Sequence, residues 1–257
     1  MLSYSFNGKT ALVVGGGSGM GRAASLRFAA AGANVMVADV AEHMGRETVA
    51  MVTGKGGKAE FVRADISEAN EVENMVRATA HKFGRVDFGC NIAAIDIEDQ
   101  ALADCADETF DKVIAVNLRG TFLCMKHEIR QMLKQGGPAA IVNFASVAAY
   151  RSKGLFLNAY VASKQGVLGL SRIAAMRYAK DGIRINTVVP GAIDTPMLQA
   201  TLKMRGITVE ELGASYGLLG RVGKPTEIAE AVLWLCSEYS SFTVGAAIPV
   251  DGGALLG

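Results

Sequence analysis

Tyr160 and Lys164 stand four residues apart in a helical pattern, so their side chains share one face. No other tyrosine in the chain has a lysine at that offset. Ser146 lies fourteen residues upstream of Tyr160, just past an apolar run that ends at Phe144. Together the three suit one kind of chemistry: taking a proton from a hydroxyl, or returning one to a carbonyl oxygen. A free phenol titrates near ~10, too high for a good base at neutral pH. An ammonium ~4 Å away, at an effective dielectric of ~20, favours the phenolate by about 4 kcal/mol, close to three pKa units. A serine hydroxyl can then hold the reacting oxygen in line. Each residue alone is ordinary: a half-buried tyrosine, a solvated lysine, a turn serine.

A second constellation gives the trio a setting. The run 11–14 ends in Gly15-Gly16-Gly17-Ser18-Gly19-Met20-Gly21, and a helical pattern opens at once. Gly15 permits a tight turn, Gly19 lets backbone N–H groups approach a pyrophosphate, and Gly21 lets the helix pack close to the strand. The helix N-terminus offers free N–H groups and a partial positive charge to an anion. Asp39 ends the next apolar run, where a carboxylate accepts hydrogen bonds from both adenine-ribose hydroxyls of NAD and repels the 2′-phosphate of NADP. NAD is therefore expected, with NADP disfavoured. Arg22 is the counter-argument, a cation near the turn, though a solvated helix residue is its plainer reading.

The elements that must carry these residues read as an alternation. Strand-like runs fall at 11–14, 34–38, 59–63, 86–90, 140–144, 184–189 and 247–250; helical patterns fall at 20–31, 41–53, 68–83, 107–133, 157–179 and 226–237. This predicts an α/β fold, a doubly wound parallel sheet of seven strands with helices on both faces, in one domain spanning 1–257. Several runs are apolar throughout, as strands buried on both faces are. Gly32, Gly84 and Gly182 suit helix C-caps, and Ser67 and Thr226 suit N-caps. The stretch 192–220 is apolar but poorly periodic, and reads as a functional loop, a substrate lid.

Composition narrows the function class. Half of the 257 residues are hydrophobic, a fifth are charged, and the net charge is +1, so neither disorder nor a nucleic-acid partner is indicated. No run approaches the ~18 apolar residues of a membrane span, and the first nine residues do not resemble a signal peptide; cytoplasm is the expected location. The four cysteines form no CxxC pair and read as free thiols, and the three histidines stand far apart, so no metal site is expected.

On these residues the chain resembles the short-chain dehydrogenase/reductase family, from Gly8 to Gly253. Gly15, Gly19 and Gly21 reproduce its G-x-x-x-G-x-G turn, and Asn117, Ser146, Tyr160 and Lys164 its active-site set. The resemblance implies a Rossmann fold and an oxidoreductase interconverting a secondary alcohol and its ketone, with Tyr160 as acid/base and Lys164 as its partner and ribose ligand. Ser146 would orient the substrate, and Asn117 would help hold a proton-relay water near the lysine. Cofactor contacts are implied at Gly15, Ser18, Gly19, Met20, Gly21, Asp39, Val40, Asp65, Ile66, Asn91, Ala93, Tyr160, Lys164, Pro190, Gly191, Ile193 and Thr195. Asp65 would sit beside the adenine, and the segment from Pro190 to Thr195 beside the nicotinamide. A homotetramer is implied as well, with the apolar segment 228–236 and the last strand as interface candidates.

Three departures stand out: Val14 where the family has threonine, Asn91-Ile92-Ala93-Ala94 where it has N-N-A-G, and a serine-to-tyrosine interval one residue longer than the commonest. Ala94 lacks glycine's freedom, so a different path is expected for that turn. Met197, Leu198, Leu202, Met204, Ile207, Leu212 and Tyr216 point to an apolar or cyclic small-molecule substrate if 192–220 closes. Arg151 and Lys153 are the cations nearest the trio in sequence, and read as solvated. Two other classes stay open: a non-catalytic NAD-binding regulator on the same fold, and a methyltransferase that binds a nucleoside cofactor.

Overall fold

The structure is a computed structural model that describes residues 4–151 and 157–257. Seven strands form one parallel sheet in the order β3-β2-β1-β4-β5-β6-β7. They are β1 (Thr10–Val14), β2 (Asn34–Asp39), β3 (Lys58–Arg63), β4 (Phe88–Asn91), β5 (Ala139–Phe144), β6 (Ile183–Pro190) and β7 (Ala247–Val250). Alternate residues of each central strand feed opposite faces. Ala11, Val13, Val35 and Val37 join α1 (Gly19–Ala30) and α9 (Pro225–Cys236) in one core. Leu12, Val14, Met36 and Ala38 join α3 (Ala69–Phe83), α5 (Thr121–Gln135) and α6 (Asn158–Tyr178) in the other. Burial on both faces is why these strands carry unbroken apolar runs. The apolar residues of 228–236 lie in the first core, so their hydrophobicity is accounted for within the chain.

Strand order reverses between β1 and β4, and at such a point crossovers leave to opposite faces and open a crevice beyond the strand C-termini. Val14 of β1 is level with Asn91 of β4, and Asn91 with Asn143 of β5. The chain segments after β1, β4, β5 and β6 therefore emerge side by side.

Four sequence expectations change. The pattern 107–133 is not one helix: α4 (Asp107–Ile114) runs into a π-helical turn, Ala115–Gly120, before α5. Such turns are frequent at functional sites. Ser67 is not the N-cap of α3. Its N–H and hydroxyl both donate to Asp65 Oδ1, at 2.9 and 2.7 Å, in an Asx-type turn, and Glu68 takes the cap position. Thr226 lies inside α9, because Pro225 favours the first helical position and moves the cap back to Lys224. The stretch 192–220 is not irregular. It folds into α7 (Pro196–Arg205), capped by Thr195, and α8 (Val209–Ser215), capped by Thr208 and Glu211. The remaining helix, α2 (Glu42–Thr53), packs against β3 and begins where predicted to within a residue. Gly32, Gly84 and Gly182 take left-handed φ after their helices, as expected of C-caps.

Candidate active site

The glycine turn is built by close approach. Gly15 has φ +81°, and a Cβ there would lie 2.7 Å from the Ala93 backbone. A Cβ on Gly21 would lie 2.0 Å from the Gly15 carbonyl oxygen. Neither position admits a side chain without moving the main chain. The Ser18 side chain does not cap α1, so the first amides of that helix, at Gly19, Met20 and Gly21, face the crevice with no intrahelical partner. Thr195 closes the other side, with its Cγ2 3.0 Å from where a Gly19 Cβ would stand.

Asp39 sits at the end of β2, its carboxylate oriented by two amides: Gly17 N–H donates to Oδ2 at 2.8 Å and Ala41 N–H to Oδ1 at 2.9 Å. Arg22 is partly buried and already engaged rather than free for a phosphate. Its guanidinium donates to the Gly17 carbonyl at 2.6 and 3.0 Å and to Glu47 at 2.6 Å, tying the turn to α2. Val40 is exposed next to Asp39. Asp65 is bound to Ser67 as described, and the Arg119 guanidinium donates to the Ser67 carbonyl.

Some expected residues turn away from the crevice. The Asn91 amide donates to Glu128 Oε2 of α5 at 3.0 Å and to Asn143 Oδ1 of β5 at 2.9 Å. Ile66 and Ile193 are core side chains. Only the main chains of these three are left to line a groove. Ile92 and Ala93 N–H both donate to the Val14 carbonyl at 3.0 Å, which holds the turn after β4 against β1. No non-glycine residue among those described has positive φ, so Ala94 follows its path without strain. Gly191 N–H donates to Val250 at 3.1 Å, and Pro190 is level with Val250, which seats that segment on β7.

The acid–base trio comes together at the end of β5. Lys164 is buried, its ammonium donating to the Phe144 carbonyl at 3.0 Å and lying 5.5 Å from the centroid of the Tyr160 ring. The Ser146 hydroxyl hydrogen-bonds the Tyr160 phenol and accepts from Ala148 N–H at 3.1 Å. Burial pushes Tyr160 up to about 12, against the Ser146 hydrogen bond that lowers it, while the Asp96 carboxylate raises it further. Burial likewise pulls Lys164 down to about 8. The helical spacing predicts a phenol depressed by about three units by the ammonium; in the chain alone, desolvation raises the phenol instead. At neutral pH the pair rests as phenol and ammonium.

Asn117 lies on the π-helical turn. Its amide grips Ile95 at both ends, accepting from the N–H at 2.8 Å and donating to the carbonyl at 2.9 Å. Sequence reading missed three acids near this site. Asp96 faces Tyr160, and Glu98 accepts from the Ala159 and Tyr160 amides, at 2.8 Å each. Glu128 is buried beneath Asn91, and burial lifts it to about 7. Only Glu128 left a trace in the sequence, a charge on the apolar stripe of α5. Arg151 donates to the Ala254 carbonyl at 3.2 Å, while Lys153 and the rest of 152–156, in the lengthened interval between Ser146 and Tyr160, lie outside the described residues.

The region 192–220 is fastened at its end. Leu218 and Leu219 N–H donate to the Gly252 carbonyl, at 2.8 and 3.1 Å. Leu202 is buried, whereas Met197, Met204, Ile207, Leu218 and Leu219 are exposed. No helix among the described residues is long and apolar enough to cross a membrane.

Residues 15–254 match a family model described as enoyl-(acyl carrier protein) reductase. The chain is 42% identical over 247 residues to 2,5-dichloro-2,5-cyclohexadiene-1,4-diol dehydrogenase of Sphingobium indicum, covering 96% of this chain and 97% of that one. It is 35% identical over 256 residues to cyclohexanol dehydrogenase of an Acinetobacter strain, covering 98% and 97%. A crystal structure of levodione reductase superposes with a TM-score of 0.90 at 35% identity, covering 98% of this chain and 99% of that one.

Proposed function

Because the chain belongs to the short-chain dehydrogenase/reductase family, whose members use nicotinamide cofactors, we propose that it interconverts a secondary alcohol and its ketone on an apolar, cyclic small molecule, with NAD preferred to NADP. The observation that carries this reading is the buried Lys164 ammonium beneath the Tyr160 ring, with the Ser146 hydroxyl on the phenol, at the strand end next to the glycine turn. Dehydrogenases named for cyclohexanol and a cyclohexadiene diol, similar over nearly the whole chain, favour a ring-bearing substrate. The exposed apolar side chains of 192–220 agree with a lid over such a ring.

The residues present fit a dinucleotide. The close approaches at Gly15 and Gly21 draw the turn tight against Ala93 and α1, the first amides of α1 have no side-chain cap to compete with a phosphate, and Asp39 ends β2 where it would accept from a ribose. When bound, the nicotinamide would accept or donate the hydride. Asp39 sets the preference for NAD through like-charge repulsion of a 2′-phosphate, about 4 kcal/mol at ~4 Å and an effective dielectric of ~20. Ser146 and Tyr160 hold the substrate oxygen between them. In reduction the phenol gives its proton to that oxygen, and in oxidation the phenolate takes it. Lys164 stabilises the phenolate and hands the proton towards solvent. Asn117 acts through its main chain or by anchoring Ile95, which its side-chain amide holds at both N–H and carbonyl. One domain over 1–257 carries the whole site, and a homotetramer is its proposed assembly.

The test is Tyr160→Phe, assayed with cyclohexanol and cyclohexanone by the absorbance change of the nicotinamide. Turnover should fall by ~10² or more, the scale of lost acid–base catalysis, while NAD binding by calorimetry stays within about threefold. Full turnover in the variant refutes the assignment.

A further inference from the structure

Helix α6 carries Tyr160 in its first turn, and among the described residues no local side chain caps it. Leu157, at the cap position, offers no side-chain acceptor. Its leading amides are instead met from far along the chain. Glu98 Oε1 accepts from Ala159 N–H and Oε2 from Tyr160 N–H, both at 2.8 Å. Asn158 Nδ2 adds a bond to the Gln100 carbonyl at 3.1 Å. Three residues earlier, Ile95 is held at both its N–H and its carbonyl by Asn117. The segment that leaves β4 is thus fastened first to the π-helical turn and then to the start of α6.

From this geometry we infer that Glu98 is a positioning residue for Tyr160: its carboxylate latches the catalytic helix to the segment after β4 and fixes where the phenol stands. The inference rests on the oxidoreductase reading for its catalytic consequence, though not for the latch itself. A carboxylate suits the place, because it offers an oxygen to each of two adjacent N–H groups and its charge opposes the positive end of the helix dipole. A glutamine offers one oxygen and turns an NH2 against the second N–H. The latch also has an electrostatic side. Tyr160 is faced by Lys164 on its own helix, by Ser146 at the end of β5 and by Asp96 from the same segment as Glu98. A negative charge at the Tyr160 amide disfavours phenolate, and its removal favours it.

The experiment compares the wild type, Glu98→Gln and Glu98→Asp as full-length proteins. Amide hydrogen exchange over 157–161 should accelerate about tenfold in Glu98→Gln, the loss of one charge-assisted bond. With cyclohexanol and NAD, kcat should fall about tenfold, equal to about 1.4 kcal/mol, with the cofactor KM unchanged. The acid limb of the kcat profile should move about half a unit to lower pH. Glu98→Asp keeps the charge and should return the limb to its place. Unchanged exchange in Glu98→Gln overturns the latch. Accelerated exchange with wild-type kcat and an unmoved limb makes Glu98 a cap only, and overturns the positioning role. A wild type that turns over no alcohol, yet shows the exchange contrast, refutes the proposed function and leaves the latch standing.

Discussion

Replacing Lys164 by methionine keeps the unbranched stem of the side chain and removes its charge. The ammonium lies 5.5 Å from the Tyr160 ring centroid. At an effective dielectric of ~20, a unit charge at that range favours phenolate by roughly 3 kcal/mol, or about two pKa units. The sign is fixed: oxidation needs the phenolate, so losing the cation raises the phenol and moves the acid limb of kcat/KM for cyclohexanol oxidation to higher pH. The shift should be about two units, and at pH 7 the variant should be about a hundredfold slower. Burial holds Lys164 itself at about 8, so its charge is fullest below pH 8, where the comparison is to be made. The substitution also leaves the Phe144 carbonyl without its donor at 3.0 Å, an effect of about 1–3 kcal/mol on stability. A thermal melt accounts for that separately. Lys164→Arg, which restores a charge, should recover part of the shift. A limb within about half a unit of wild type in Lys164→Met would refute the electrostatic role of the amine.

Other perturbations read other parts of the site. Asp39→Ser should raise the NADP-to-NAD ratio of kcat/KM by about a hundredfold or more, as the like charge near a 2′-phosphate disappears; an unchanged ratio removes Asp39 from cofactor choice. Gly15→Ala forces a Cβ to within 2.7 Å of the Ala93 backbone at φ +81°, and should weaken NAD binding at least tenfold and lower the melting temperature. Glu128 is lifted from 4.5 to about 7, so it stabilises the fold fully below its unfolded value near ~4.3, and that contribution is lost as pH rises through about 7. Wild type should gain up to about 3 kcal/mol of stability relative to Glu128→Gln between pH 8 and pH 4.5, measured by denaturant unfolding; parallel pH dependences in the two proteins would place the effect elsewhere.

What the sequence made legible was local. The alternation of apolar runs and helical patterns gave all seven strands to within two residues at each end, because strands buried on both faces declare themselves by hydrophobicity alone. The glycine turn, Asp39 and the Tyr160–Lys164 pair were readable for a similar reason: each rests on a spacing of a few residues. The failures share a cause too. Leu118 and Phe122 continue an apolar pattern across the π-helical turn, so nothing in their types marks the break. Arg22 sits on a helix surface by its pattern, yet α2 packs over that surface and supplies Glu47. Glu98 meets its amides across some sixty residues, and such a bond leaves no periodic trace.

Tyr160 exposes the deeper limit, because helical spacing brings Lys164 to the phenol as expected and still gives the wrong sign for its shift. Spacing along a helix reveals which charge neighbours a phenol; it does not reveal how much water the fold removes from both. Here burial lifts Tyr160 to about 12 and lowers Lys164 to about 8, so each group resists its charged form. Yet the same dehydration strengthens the attraction between phenolate and ammonium once both exist, since the interaction scales inversely with the effective dielectric. A pair arranged this way keeps its proton on the phenol until a further positive charge arrives, then gives it up together with that charge's arrival. Such coupling predicts that the acid limb for oxidation lies well below about 12 in the ternary complex, and that the phenol of the isolated protein does not titrate with it. Ultraviolet titration of Tyr160, taken as wild type minus Tyr160→Phe with and without NAD, separates the two; a phenol that titrates at the same pH in both states removes the bound charge from the mechanism.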